Sequence, residues 1–265
     1  AQIVDARTGR SLADSQLIVP RGSGAAAAAA EPLSVFVRHA FWADLDLEAR
    51  RARVHDPAAW ALVERARELM NVAEKAVTER LDGQGFRSLD VADSLLREAQ
   101  RLDGASDLIP IELARTADRR AFYVEYLNQV LKSPPAGLPD PAAERVQALA
   151  LLDRLISDRH GPADAFEMRG RTKEGLWRAL GADSLLDGAI ADYRSAAELD
   201  VHRATAWRDL GSALQSAERY PEALLALQHA FEEDVFQLYR PDLLGYRFDA
   251  ALLAQANPGM SPNPA

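Results

Sequence analysis

The chain has 265 residues, with 40 acidic side chains against 31 basic ones, a formal net charge of −9 and no cysteine. That balance argues against a nucleic-acid surface, which needs a dense basic stripe to match phosphates. The missing thiols exclude disulfides, zinc–thiolate sites and cysteine nucleophiles, and no apolar run approaches the roughly eighteen residues of a membrane helix.

Residues 1–31 are expected to form a flexible or extended segment. Ala1 and Gln2 begin the chain as they would behind a signal-peptidase cut, which favours a periplasmic or extracellular setting in a bacterium over the cytoplasm. Val19 to Ser23 (VPRGS) equally resembles the remnant of an engineered thrombin site, and Ala25 to Ala30 is polyalanine. Both origins of this end stay open.

From residue 33 the apolar spacing is helical almost throughout, and strand-like alternation is missing. The opening stretch is unusually apolar, with Phe36, Phe41 and Trp42 followed by Leu45 and Leu47. It reads as a cap on the first hairpin or as a docking patch. Asp56 and Pro57 start a helix, an aspartate that can cap followed by proline at the first position. Behind them Leu62, Ala66, Leu69, Ala73, Ala76 and Val77 recur at three- and four-residue steps as far as a turn at Asp82 to Gly85. Ala92, Leu96 and Ala99 mark the next helix, a further pair falls near 117–132 and around Ala148 to Leu155, and residues 133–140 separate its members.

The clearest pattern comes later. Trp207, Leu210 and Gly211 are followed by Ala223, Leu227 and Ala230, and 34 residues upstream the second half returns as Ala189, Tyr193 and Ala196, behind Phe166 to Gly170. Over residues 163–235 this resembles the tetratricopeptide repeat family, with degenerate copies upstream. Small residues let the two helices of a hairpin approach, and bulky ones fill the gaps between hairpins. The resemblance implies an all-α solenoid of helical hairpins, a right-handed superhelix over 33–256. A last helix at 241–256 would cap it, ahead of a disordered tail at 257–265. Gly170 to Ala189 exceeds Gly211 to Ala223 by seven residues, about two helical turns. Both helices of that hairpin are therefore expected to be longer by about one turn.

Signatures of chemistry are sparse. The histidines (His39, His55, His160, His202, His229) show no metal-ligand spacing, and the aspartate pairs 44/46 and 183/187 lack the glycine and terminal glutamate of a calcium loop. No phosphate-binding glycine motif and no nucleophile elbow occur. The expectation is a protein that is not an enzyme and carries no cofactor or metal.

The family resemblance instead implies a concave groove lined by the first helix of each hairpin. By spacing, its residues are Asp164, Glu167, Arg171 and Glu174 in the longer repeat, and Thr205, Arg208, Ser212 and Gln215 in the clearest one. The lysine and asparagine with which some members grip a chaperone tail are absent there. The expected function is a scaffold that binds a protein or peptide segment in this groove. The alternatives are a structural subunit of a larger assembly or, less favoured, a helical-repeat enzyme or small-ligand carrier. The subunit would dock through its apolar ends, Phe36, Phe41 and Trp42 at one and Tyr239, Tyr246 and Phe248 at the other.

Overall fold

The structure is a computed structural model that describes residues 2–4, 11–14, 25–80, 84–133, 136–159 and 161–234, and singly residues 239, 243, 245, 246, 249, 251, 253 and 255. Two strands, β1 (Gln2–Val4) and β2 (Ser11–Asp14), pair antiparallel with a bulge between Ile3 and Val4. Then come α1 (Ala25–Arg51), α2 (Pro57–Arg80), α3 (Gln84–Leu102), α4 (Leu108–Val130), α5 (Pro141–Arg159), α6 (Ala163–Leu180), α7 (Asp183–Leu199), α8 (Ala204–Ser216) and α9 (Tyr220–Glu233). Apart from the short ladder at the start, the architecture is all-α.

Local chemistry sets the helix limits. The Oδ1 atom of Asp56 accepts from the N–H groups of Ala58 and Ala59 at 2.7 and 2.9 Å, with Pro57 in the position where no donor is needed. Asp140 and Pro141 repeat the arrangement at the start of α5, where Ala142 donates at 3.1 Å. Gly181 ends α6 in the left-handed region at φ 67°, the conformation a helix C-terminus often takes and glycine tolerates.

Three boundaries differ from the sequence reading. Helix α1 begins at Ala25, inside the stretch expected to be flexible, because alanine is the strongest helix former. Helix α4 begins at Leu108 rather than near 117, since Pro110 lies in the first turn, where its missing N–H breaks no bond. Gln84 and Gly85, read as part of a turn, already belong to α3.

Helices α2/α3, α4/α5, α6/α7 and α8/α9 pack as hairpins, and α3/α4, α5/α6 and α7/α8 join one hairpin to the next. The first helices also touch one another across the stack (α2/α4, α4/α6, α6/α8), so they form its inner wall. This is a tetratricopeptide-like solenoid. Its longer hairpin has 18- and 17-residue helices where the following one has 13 and 14, the extra turn on each side that the spacing required.

The small residues sit where the helices come closest. A Cβ on Gly211 would lie 2.5 Å from the Leu227 Cγ, and one on Gly170 would lie 2.7 Å from the Tyr193 ring. In α2 the buried face is Ala59, Val63, Ala66, Met70, Ala73 and Val77, with Leu62 and Leu69 only partly covered. Beyond α9 every described residue from 243 to 255 is helical, and Leu243 is buried against Leu227 and Ala230, closing the end of the stack. The expected tail at 257–265 lies outside the described residues.

Candidate functional site

The inner wall holds a cleft of about 500 Å³. Asp118, Arg119, Phe122 and Tyr123 from α4, Arg171, Glu174 and Arg178 from α6, and Arg208, Asp209 and Ser212 from α8 converge on it, with Tyr246 at its edge. Phe122, Arg145 and Arg178 also border an adjoining hollow of about 580 Å³ that runs on to Tyr126, Gln129 and Leu180. The two hollows therefore lie side by side, with these three side chains common to both.

The groove is built on ion pairs. Arg171 Nε donates to Asp209 Oδ2 and its Nη2 to Glu167 Oε1, both at 2.6 Å. Glu167, only 4% exposed, also accepts from Arg203 and, at 3.0 Å, from the Thr205 hydroxyl. Burial alone would raise the Glu167 pKa, but Arg171, Arg203 and the hydrogen bonds outweigh it and hold the group at about 2. Arg208 donates twice to Asp209 Oδ1, at 2.7 and 2.9 Å, and its guanidinium lies 4.8 Å from the Tyr239 ring centroid.

Glu174 behaves differently. It accepts from the Tyr193 hydroxyl at 2.8 Å and from Arg178, yet burial dominates and raises its pKa. Burial, with Glu174 and Asp209 beside it, likewise pushes the Tyr193 phenol well above its ordinary value. Arg145 reaches the groove from α5. It is 3% exposed, donates to Asp118 at 3.2 Å and to both oxygens of Glu125, and lies across Gly175, where a Cβ would come within 2.3 Å of its Nε.

Arg119 has none of this support. Among the described residues no carboxylate pairs with it, and its Nη1, closed off from solvent, has no acceptor. A buried donor without a partner costs about 1–3 kcal/mol.

The eight groove residues named from the sequence therefore have distinct surroundings. Arg171, Glu174, Arg208 and Ser212 line the cleft. Asp164 faces away to Arg53, which donates at 2.6 and 3.2 Å. Glu167 and Thr205 belong to the ionic floor. Gln215 donates to the Tyr246 carbonyl at 3.4 Å, on the rim. Sequence reasoning passed over Asp209, one residue off the face it followed. It also passed over Arg119, Phe122 and Tyr123, because the register of that degenerate repeat has no landmark. Nothing in the sequence pointed to Arg145; only the missing side chain of Gly175 makes room for it.

The aromatic groups set at opposite ends do not stay apart. Arg50 at the end of α1 holds Glu64 at 2.6 Å, and Arg51 lies over the Trp60 ring, so that end meets the first hairpin. Trp42, two and a half turns earlier, instead lines a cleft of about 410 Å³ with Thr205, Glu233 and Tyr239 of the last repeat. Helix α1 thus reaches from the first hairpin to the last, with Phe41 and Leu45 exposed at 53% and 54% and Phe36 half-buried. Phe248 and His160 lie outside the described residues. His229 stacks on Trp207 with ring centroids 4.7 Å apart. Among the described residues no three metal-capable side chains come together, and no helix is long and apolar enough to cross a membrane.

No protein-family model and no curated protein matches the sequence. Among solved structures the chain is similar to a thermophilic tetratricopeptide protein of Thermus thermophilus, TTC0263, at 14% identity and a TM-score of 0.45, covering 73% of this chain and 92% of that one. It is similar to MamA at 14% identity and a TM-score of 0.40, covering 71% and 96%. A third is YrrB, described as a tetratricopeptide protein with an unusual peptide-binding site, at 18% identity and a TM-score of 0.31, covering 74% and 100%.

Proposed function

We propose that the protein is a recognition scaffold that holds an extended segment of a protein partner in the groove between α4, α6 and α8, with no covalent chemistry. One observation carries this reading: the polar cleft and a second hollow share the lining residues Phe122, Arg145 and Arg178, so polar and apolar side chains follow one another along the same wall. An extended chain needs such a run of alternating apolar and hydrogen-bonding contacts more than it needs a closed pocket. Its wall is preorganised, because nearly every charged group in it already has a partner inside the protein, so little ordering is required on binding.

A second reading, a subunit that docks through α1, is favoured by the exposed Phe41 and Leu45. Selection of binding peptides from a random dodecamer library on the full chain separates the two. The groove reading expects the selected peptides to lose at least about tenfold in affinity with Ser212→Trp, which fills the cleft, and to be indifferent to Phe41→Asp/Leu45→Asp. The reverse pattern would transfer recognition to α1.

A further inference from the structure

The cleft of about 410 Å³ between α1 and the last repeat differs in character from the groove. Its wall is apolar where Trp42, Tyr239 and Ala204 line it, and carboxylates stand around that wall: Asp46 on α1, Asp200 at the end of α7, and Glu233 and Asp234 at the end of α9. Trp42 and Asp46 are four residues apart and so share one face of α1, with Phe41 and Leu45 on the neighbouring, exposed face.

This acidic rim is short of internal partners. Arg50 is divided between Asp46 and Glu64. Glu233 meets the ring of His202, at 2.8 Å and open to solvent. Asp234 accepts from the Tyr239 backbone N–H at 3.1 Å. Among the described residues no side chain donates to Asp200, although Arg203 and His202 feel its charge. Arg203 also lines the cleft, but with Thr205 it turns to Glu167, and Arg208, beside the Tyr239 ring, is taken by Asp209. Two helix C-termini add to the negative field. Helix α7 is capped by Asp200 and α9 by Asp234, and neither has a basic residue in its last turn, where a cation would complement the exposed carbonyls.

We infer that this cleft is a second recognition site, separate from the groove, and that its occupant is a basic peptide segment, one arginine of which lays its stem against Trp42 and Tyr239 and presents its guanidinium to Asp200 and Glu233. Arginine fits both parts of the site. Its aliphatic stem covers apolar surface, while its planar head stacks on aromatic rings and gives paired bonds to carboxylates. The net charge of −9 draws the same kind of segment towards the molecule from a distance.

The test uses the full chain and two fluorescein-labelled peptides of glycine and serine, blocked at both ends. One carries a pair of arginines, and the other carries citrulline in their place, which keeps the shape without the charge. Fluorescence anisotropy near physiological salt is expected to show the arginine peptide binding about tenfold or more tighter, the effect of one charge-assisted bond. Asp200→Asn/Glu233→Gln should remove most of that advantage, and Trp42→Ala should weaken the arginine peptide by about threefold. Both rim carboxylates lie outside α1, so the first variant keeps the test valid if the second loosens that helix. Glu68→Gln/Glu98→Gln removes the same charge from the exposed faces of α2 and α3 and should change the affinity by less than about twofold. An arginine advantage that persists in Ser212→Trp and is lost in the rim variant supports the site whether or not the groove binds a library peptide. Equal binding of the two peptides, no binding of either, or equal losses in the rim and control variants overturns it. If Ser212→Trp abolishes binding and the rim variant does not, the segment lies in the groove, so this inference falls and the groove reading stands.

Discussion

Glu167 concentrates the electrostatics of the inner wall on one residue, since Arg171, Arg203 and Thr205 all donate to it. The displacement from an ordinary 4.5 to about 2 corresponds to about 3 kcal/mol. Its sign follows from linkage. In the unfolded chain the group titrates near 4.5, so the stabilisation is complete above about pH 5 and is lost as pH falls towards 2. Glu174 has the opposite sign: its raised pKa means that ionisation at neutral pH works against the fold. Urea denaturation at pH 7 should therefore show Glu167→Gln destabilised by about 3 kcal/mol, a deficit that closes as the pH approaches 2. Glu174→Gln, which keeps an acceptor for Tyr193, should cost less than about 1 kcal/mol. Equal losses in the two variants would refute this division of roles. The sequence placed both glutamates on one face, but their opposite titration comes from the neighbours the fold brings to each: Arg171, Arg203 and two hydrogen bonds outweigh burial at Glu167, whereas burial prevails at Glu174 with Asp209 adding to it.

At the scale of the element, each hairpin depends on a close approach. Gly211 faces the Leu227 side chain and the Ala223 carbonyl. Alanine there would gain about 1 kcal/mol of helix propensity but overpack a buried contact, at about 1–3 kcal/mol. Gly211→Ala is expected to lower the midpoint of thermal unfolding, whereas alanine at Gly104, where the nearest atom is 3.5 Å from the added carbon, should not. A Gly211→Ala variant as stable as the parent would show that the hairpin can open at no cost. The repeat spacing was readable because this packing code is local to two adjacent helices. The start of α4 was not, since a proline in a first turn and a proline after a helix look alike in the sequence.

Over the whole molecule, Arg53 joins parts that the repeat pattern leaves unrelated. Just beyond α1, it donates to Asp107 at 2.9 Å and to Asp164 at 2.6 Å, two carboxylates at the starts of α4 and α6. Burial opposes its charge, yet both acids outweigh that and raise its pKa further. Arg53→Ala should cost about 1–2 kcal/mol, the loss being limited by partial exposure to solvent. Hydrogen exchange should rise in α1 and in the first turns of α4 and α6 but not in α9. Uniform acceleration along the chain would mean that α1 is held by something other than this contact.

What the sequence determined by itself was whatever depends on neighbours within one hairpin: helical period, small residues at close approaches, caps, and the added turns of α6 and α7. The tertiary structure decided the rest. Only the stacking of successive hairpins brings Arg145 over Gly175, sets Arg119 and Tyr246 around one cleft, and carries Trp42 to a cleft of the last repeat instead of leaving it on the first. These arrangements gather residues tens to more than a hundred positions apart, and the packing between hairpins, which no local pattern encodes, places them together.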